Sequence, residues 1–200
     1  MKKEDLRREY KLKRSQLASS EIKSCSEQIF QLIKSHFRLH NKTIHIFLPI
    51  ANFNEINTAS FIEFLFQLKC TVATSITHVN PLGLTHCIID ENTTYEKDKF
   101  GIPCPIERLA IAENKIDIVI IPLLAFDKKG ARVGYGKGLY DRFLAECNPN
   151  CIKIGVSLFE PTPSISGVDK NDVSLDYCAT QKKFILSKRF ESLLSLIVKQ

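Results

Sequence analysis

Two hundred residues, 44% apolar and 25% charged, fit one domain large enough to bury a core without metal or disulfide staples. Apolar runs too short to span a bilayer and a charged N-terminus without a signal-type apolar segment lead us to expect a cytoplasmic monomer with no membrane partner. The net charge of +6 is uneven: residues 1–14 hold seven Lys or Arg against three acids, and the near-neutral remainder argues against a nucleic-acid surface.

Lys3 to Leu17 reads as a helix, with Leu6, Tyr10 and Leu17 loosely on one side. Lys3, Arg7, Arg8, Lys11 and Arg14 recur at three- and four-residue spacing, so several share a face. A solvated basic face is the plain reading; Lys3 and Arg7, one turn apart, reaching for phosphates is the sharper one. Ser20-Glu21 opens a second helix striped by Ile22, Cys25, Ile29, Leu32, Ile33 and Phe37. Thr43 to Leu48 is a strand that Pro49 stops, and the polar loop Ile50 to Asn57 holds one acid, Glu55. Thr58 starts a third helix with Phe61, Ile62, Leu65 and Leu68 inward.

Thr71–Ser75 and Leu84–Ile89 read as strands around a turn at Asn80-Pro81-Leu82-Gly83. Glu91–Lys99 reads as irregular, and two prolines keep Phe100–Pro105 extended. Ile116–Ile121 is almost continuously apolar, the pattern of a strand buried on both faces. Tyr140–Cys147 is helical, Lys153–Phe159 a strand, and Pro161–Asp176 a polar loop with Asp169, Asp172 and Asp176. A strand at Tyr177–Thr180 and a helix at Lys188–Val198 close the chain. Strands alternating with helices predict an α/β protein, a three-layer α/β/α sandwich with a mostly parallel, Rossmann-like sheet, forming one domain over residues 1–200. Seven scattered cysteines without a C-x-x-C pair predict free, mostly buried thiols.

Chemistry concentrates after the apolar strand, where four of the eight glycines fall between Gly130 and Gly138. Alternate glycines at 134, 136 and 138 let the backbone turn tightly and present its N–H groups to phosphate, with a helix start behind them. Arg132 adds a charged fork, Lys137 a point donor, and Asp141 a carboxylate able to hold Mg²⁺. The spacing is neither that of a Walker A loop nor G-x-G-x-x-G. From spacing alone the loop is either a phosphate cradle or a structural turn.

The run Pro122-Leu-Leu-Ala-Phe-Asp127 followed by Gly130-Ala-Arg-Val-Gly-Tyr-Gly-Lys-Gly-Leu-Tyr-Asp141 resembles the signature of the 5-formyltetrahydrofolate cyclo-ligase family. The basic N-terminal helix, Glu55-x-x-Thr58, Gly101-Ile-Pro-x-Pro105 and the stretch from Asn171-Asp172 to Asp176 agree with it. The resemblance implies ATP- and Mg²⁺-dependent closure of 5-formyltetrahydrofolate to 5,10-methenyltetrahydrofolate, with release of ADP and phosphate. It also implies ATP contacts at Lys3, Arg7, Arg132, Val133, Gly134, Tyr135, Gly136, Lys137, Gly138, Leu139 and Tyr140. Lys137, Arg132 and Tyr140 are the implied catalytic residues. Leu48, Glu55 and Tyr135 through Leu139 (with Gly136, Lys137 and Gly138 between) are implied on the folate, and Asp141 and Asp176 on the metal. Leu139 stands where the family often has an aromatic residue, and Cys104 where it often has an acid. A sugar-phosphate isomerase or acyl-CoA transferase relative, and an RNA-binding module using the basic arm, are the competing readings.

Overall fold

The structure is a computed structural model that describes residues 1–98 and 101–187; the expected helix Lys188–Val198 and residue Phe100 lie outside the described residues. The first half runs α1 (Lys3–Ser15), α2 (Ser19–His36), β1 (Thr43–Ile46), a 3-10 turn at Ala51–Phe53, α3 (Ala59–Gln67), β2 (Thr71–Val79) and β3 (Leu82–Ile89). Short strands β4 (Tyr95–Lys97), β5 (Pro103–Pro105) and β6 (Leu109–Ala110) follow, then a 3-10 turn at Glu113–Lys115 and β7 (Ile118–Pro122). The second half adds β8 (Ala125–Phe126), β9 (Arg132–Val133), α4 (Leu139–Glu146), β10 (Ile152–Val156), β11 (Tyr177–Ala179) and β12 (Phe184–Leu186).

Local chemistry sets several of these boundaries. The Glu21 carboxylate accepts the Ala18 N–H at 2.8 Å, satisfying a donor at the start of α2. Asn57 Oδ1 accepts the Ala59 N–H at 3.0 Å where α3 begins. Buried Thr58 donates its hydroxyl back to Phe47 O at 3.0 Å, tying the start of α3 to the chain leaving β1.

Eight strands form one mixed sheet in the order β12-β11-β10-β7-β1-β2-β3-β6. The five central strands β11, β10, β7, β1 and β2 are parallel neighbours, and β12, β3 and β6 add antiparallel edges. Numbered by order along the chain, the parallel strands stand 2-1-3-4-5 across the sheet. The winding therefore reverses between β1 and β7. In a doubly wound sheet, the crevice beyond the carboxyl ends of that strand pair is where ligands bind. Glu55 follows β1, and the glycine-rich segment follows β7.

The unbroken apolar run of β7 reflects burial on both sides. Ile118 and Ile120 pack with Ile29, Phe30 and Ile33 of α2 and with Phe61 and Leu65 of α3. Val119 and Ile121 point the other way, toward Phe143 and Leu144 of α4. Burying each such side chain contributes about 1.5–3 kcal/mol, which is why polar residues are missing here. A third cluster lies beyond the sheet: Leu6 and Tyr10 of α1 pack on Leu124, Ala125 and Val133. The first helix thus covers the β8–β9 hairpin that launches the glycine loop. The seven cysteines are free, and five of them are buried.

Some elements differ from the sequence expectation. Strand β2 continues to Val79, because its whole length pairs with β3 in an antiparallel ladder. The polar stretch expected to be irregular contains β4, which is ordered by pairing Tyr95–Lys97 with Pro103–Pro105. Strand β10 stops at Val156, where Ser157 turns its hydroxyl onto Phe159 O at 2.8 Å.

Candidate active site

The turn before the glycine loop is built by Asp127, 3% exposed. Its Oδ1 accepts the N–H groups of Lys129 at 2.9 Å and Ala131 at 3.1 Å, and its Oδ2 accepts that of Ile165 at 3.0 Å. Asp127 is therefore fully occupied in shaping the chain. Gly130 has φ +90°, and a Cβ there would stand 2.6 Å from Leu175 O, so no other residue fits without a shift.

Arg7 reaches from α1 onto the loop. Its Nε donates to Gly134 O at 3.0 Å, and its guanidinium lies against Gly136, where an added Cβ would meet Cζ at 2.9 Å. Gly136 has φ +93° and Gly138 φ +63°, the latter capping α4. The loop therefore needs glycine at 136 both for its conformation and for the cation resting on it. Lys137 is exposed beside it. Val133 is buried under α1, and Leu139 opens α4 half-buried.

On one side of the loop sits a charged cluster. Arg132 donates Nη2 to Asp141 Oδ1 at 2.6 Å and Nη1 to Val173 O, and Asp141 Oδ1 also accepts the Val173 N–H at 3.1 Å. Lys3 is ion-paired with Asp172, whose Oδ2 also accepts the Asp169 N–H at 2.6 Å. Burial alone would raise the Asp172 carboxyl, but Lys3, the Asp169 N–H and the Arg132 charge together hold it below the usual carboxylate range. Arg132, Asp141, Asp172 and Val173 line one pocket with Ala131, Val168 and Ser174. Asp141 Oδ2 and Asp172 Oδ1 have no hydrogen-bond partner among the described residues.

Asp176, expected beside Asp141, is engaged elsewhere. Its Oδ2 accepts the Lys153 N–H at 2.8 Å and Lys153 Nζ at 3.2 Å, where β10 and β11 begin. Asp172 is the acid that the fold brings to Arg132 and Lys3.

On the other side lies a buried polar group. Glu55, 7% exposed, accepts the Tyr135 hydroxyl on Oε1 at 2.6 Å and the Ile50 N–H on Oε2 at 2.8 Å. Arg14, 5% exposed, stands behind it with Nη1 4.0 Å from Oε1. Burial raises the Glu55 carboxyl, while Tyr135, the Ile50 N–H and Arg14 pull it back. Burial also raises the Tyr135 hydroxyl, and the Glu55 charge adds to this. Phe53, half-exposed, lies 5.5 Å from the Tyr135 ring, and Lys11 Nζ lies 5.5 Å above that ring. Tyr140 sits between the two sides: burial and the Glu55 charge raise its hydroxyl, and Arg132 opposes them. Leu48 is partly buried against the core under α2 and α3, just past the end of β1.

The structure thus brings Lys3, Arg7, Arg132, the loop from Gly134 to Gly138, Tyr140, Asp141 and Glu55 into one neighbourhood. Arg14, Phe53 and the site position of Asp172 were missed from the sequence. The signal for Arg14 was its seven-residue spacing from Arg7, two turns along the same helix face.

Comparison with known proteins agrees with this geometry. The model of the 5-formyltetrahydrofolate cyclo-ligase family matches residues 1–180. The chain is 31% identical over 157 residues to the 5-formyltetrahydrofolate cyclo-ligase of Mycoplasma genitalium, covering 78% of this chain and 84% of that one. It is 29% identical over 155 residues to the mouse 5-formyltetrahydrofolate cyclo-ligase, covering 72% and 74%. Among solved structures, the 5,10-methenyltetrahydrofolate synthetase of Aquifex aeolicus superposes with a TM-score of 0.76 at 25% identity, covering 93% of each chain. That of Mycoplasma pneumoniae gives 0.69 at 25% identity over 90% of this chain and 99% of the other. With the signature loop, the switch-point site and a match over most of its length, the chain belongs to the 5-formyltetrahydrofolate cyclo-ligase family.

Proposed function

We propose that this chain converts 5-formyltetrahydrofolate to 5,10-methenyltetrahydrofolate with ATP, as one domain whose Rossmann-like sheet binds both ligands at its switch point. The observation that carries this reading is the 2.6 Å bond from Tyr135 to Glu55, which joins the glycine loop to the acid following β1. Through it a phosphate cradle and a buried polar acceptor become neighbours, as a reaction between a nucleotide and a polar heterocycle requires.

A formamide oxygen leaves poorly, and phosphorylation makes it a good leaving group. The formyl oxygen attacks the γ-phosphorus and ADP departs. The second folate nitrogen then attacks the formyl carbon; phosphate leaves with the C–O electron pair, and the nitrogen loses its proton. The protein's work is positioning and charge neutralisation. The N–H groups of Gly134 through Gly138 take phosphate oxygens, with Lys137, Arg7 and Lys3 supplying positive charge. Arg132, held by Asp141, and Tyr140 face the reacting groups. Glu55 accepts hydrogen bonds from the pterin ring, and Leu48 and Leu139 close around the substrate.

Asp141 Oδ2 and Asp172 Oδ1, unpaired among the described residues, suit a hard divalent cation, so these two carboxylates, rather than Asp176, would hold Mg²⁺. When bound, the ion neutralises phosphate charge. The test is to mix the protein with 5-formyltetrahydrofolate, ATP and Mg²⁺ and follow the near-ultraviolet absorbance of the methenyl product alongside ADP. Folded protein that yields neither product overturns the reading.

A further inference from the structure

Arg14 occupies an uncommon position for a cation. Its side chain is 6% exposed, and Nη2 is buried with no hydrogen-bond partner among the described residues. Leaving a charged donor unmet in a protein interior is costly, so a sequence keeps one only where its charge is needed. The guanidinium faces two groups. Glu55 Oε1 is 4.0 Å from Nη1, and the Tyr135 ring centre is 5.8 Å from Cζ. The carbonyl of Arg14 accepts Asn54 Nδ2 at 3.1 Å, which anchors the segment carrying Glu55 to this turn of α1.

We infer that Arg14 is a positioning residue for folate: from behind Glu55 it holds the carboxylate with Oε1 turned toward Tyr135, so that the acid can accept hydrogen bonds from the pterin ring. This rests on the proposed role of Glu55. An ionised carboxylate only accepts hydrogen bonds, whereas a protonated one presents a donor to the ring's own donors and repels them. Burial raises this carboxyl, and the neighbouring donors and the Arg14 charge oppose that rise. The groups facing it are Arg14 and Lys11 from α1, Tyr135 from the loop, Tyr140 from α4 and the Ile50 N–H. Arg14 is the cation nearest the carboxylate among these; Lys11 reaches only the far side of the Tyr135 ring.

The test measures folate KM, ATP KM and kcat between about pH 5 and pH 8, a range spanning the ordinary carboxylate and imidazole regions. The variants are Arg14→Gln, Arg14→Lys, Glu55→Gln and the double variant Arg14→Gln/Glu55→Gln. Removing the opposite charge raises the Glu55 carboxyl, so Arg14→Gln should raise folate KM most at the acid end of this range, by roughly tenfold at about pH 5, and change it little at neutrality. It should also move the acid limb of folate kcat/KM upward by about one pH unit. ATP KM and kcat should change less than about twofold, and Arg14→Lys should restore the acid limb. In the Glu55→Gln background Arg14→Gln should add almost nothing, because Arg14 acts through the carboxylate.

If Glu55→Gln weakens folate while Arg14→Gln keeps the wild-type KM and acid limb, the inference about Arg14 is wrong. If Glu55→Gln itself leaves folate KM unchanged, the role of Glu55 fails and the inference falls with it. Should Arg14→Gln not fold, Arg14→Met, which keeps bulk and removes the charge, decides: an acid limb displaced upward supports the inference, and one at the wild-type pH refutes it.

Discussion

Gly136→Ala probes the loop through two separate physical effects. The first is conformational: φ is +93°, and an L-residue in that region costs about 1–2 kcal/mol relative to glycine. The second is steric, since the new Cβ would stand 2.9 Å from Arg7 Cζ and 3.1 Å from Nε and Nη2. The Arg7 head is the end of a flexible chain and can swing away cheaply. Doing so breaks its 3.0 Å bond to Gly134 O, worth about 1 kcal/mol for a partly exposed group. The sum is roughly 2–3 kcal/mol, or a fall in melting temperature of about 5–10 °C for a chain of this size. If Arg7 holds the phosphates as proposed, displacing it should raise ATP KM about tenfold, equivalent to 1.4 kcal/mol. Gly134→Ala is the control for stability: nothing lies within 4 Å of its added Cβ, so unfolding should change by less than about 0.5 kcal/mol. Urea unfolding and ATP-dependent formation of the methenyl chromophore measure both effects. Wild-type stability and ATP KM in Gly136→Ala, or equal destabilisation by Gly134→Ala, would refute the reasoning.

Lys137→Ala should reduce ATP-dependent turnover about tenfold or more with unchanged circular dichroism; equal turnover would show that this lysine is not on the phosphates. Asp141→Ala strips a partner from Arg132, whose side chain is 7% exposed, and should cost about 2 kcal/mol by urea unfolding, discounted for the 27% exposure of the acid. Burial lowers the pKa of His45 and of His86, so both stay neutral when folded, while the unfolded chain gains protons below about pH 6.5. Their contribution is complete above that pH and is lost as pH falls toward the lower folded-state values. Urea midpoints should therefore decline from pH 7.5 to pH 5.5, roughly bracketing that transition, and His45→Gln should flatten the slope.

The parts of the site that were legible in the sequence are those set by local rules. The doubly apolar run of β7, the alternating glycines and the lone acid after β1 each announce themselves within a few residues, and the family signature tied them to folate and ATP. The two-residue strands β8 and β9 are too short to carry a period, and β4 exists only because Pro103–Pro105 lies alongside. Arg14 looked like one more solvated base because six cations crowd α1, and only the packing of Leu6 and Tyr10 shows which face turns inward. Choosing between Asp172 and Asp176 was equally non-local. They stand four positions apart in sequence, yet one meets Lys3 and the other Lys153.

The bonds that assemble this site span long stretches of chain: 80 residues between Tyr135 and Glu55, 127 between Arg7 and Gly134, and 169 between Lys3 and Asp172. Each such contact closes a large loop, at an entropic cost that grows only slowly with loop length. The candidate site is thus assembled by the whole topology, and neither half of the chain carries it alone. A nucleotide seated between α1 and the glycine loop would act as a reversible clasp between the first helix and the second half of the chain. It would stabilise the fold by mass action, and detachment of the first helix would be the opening event it suppresses most.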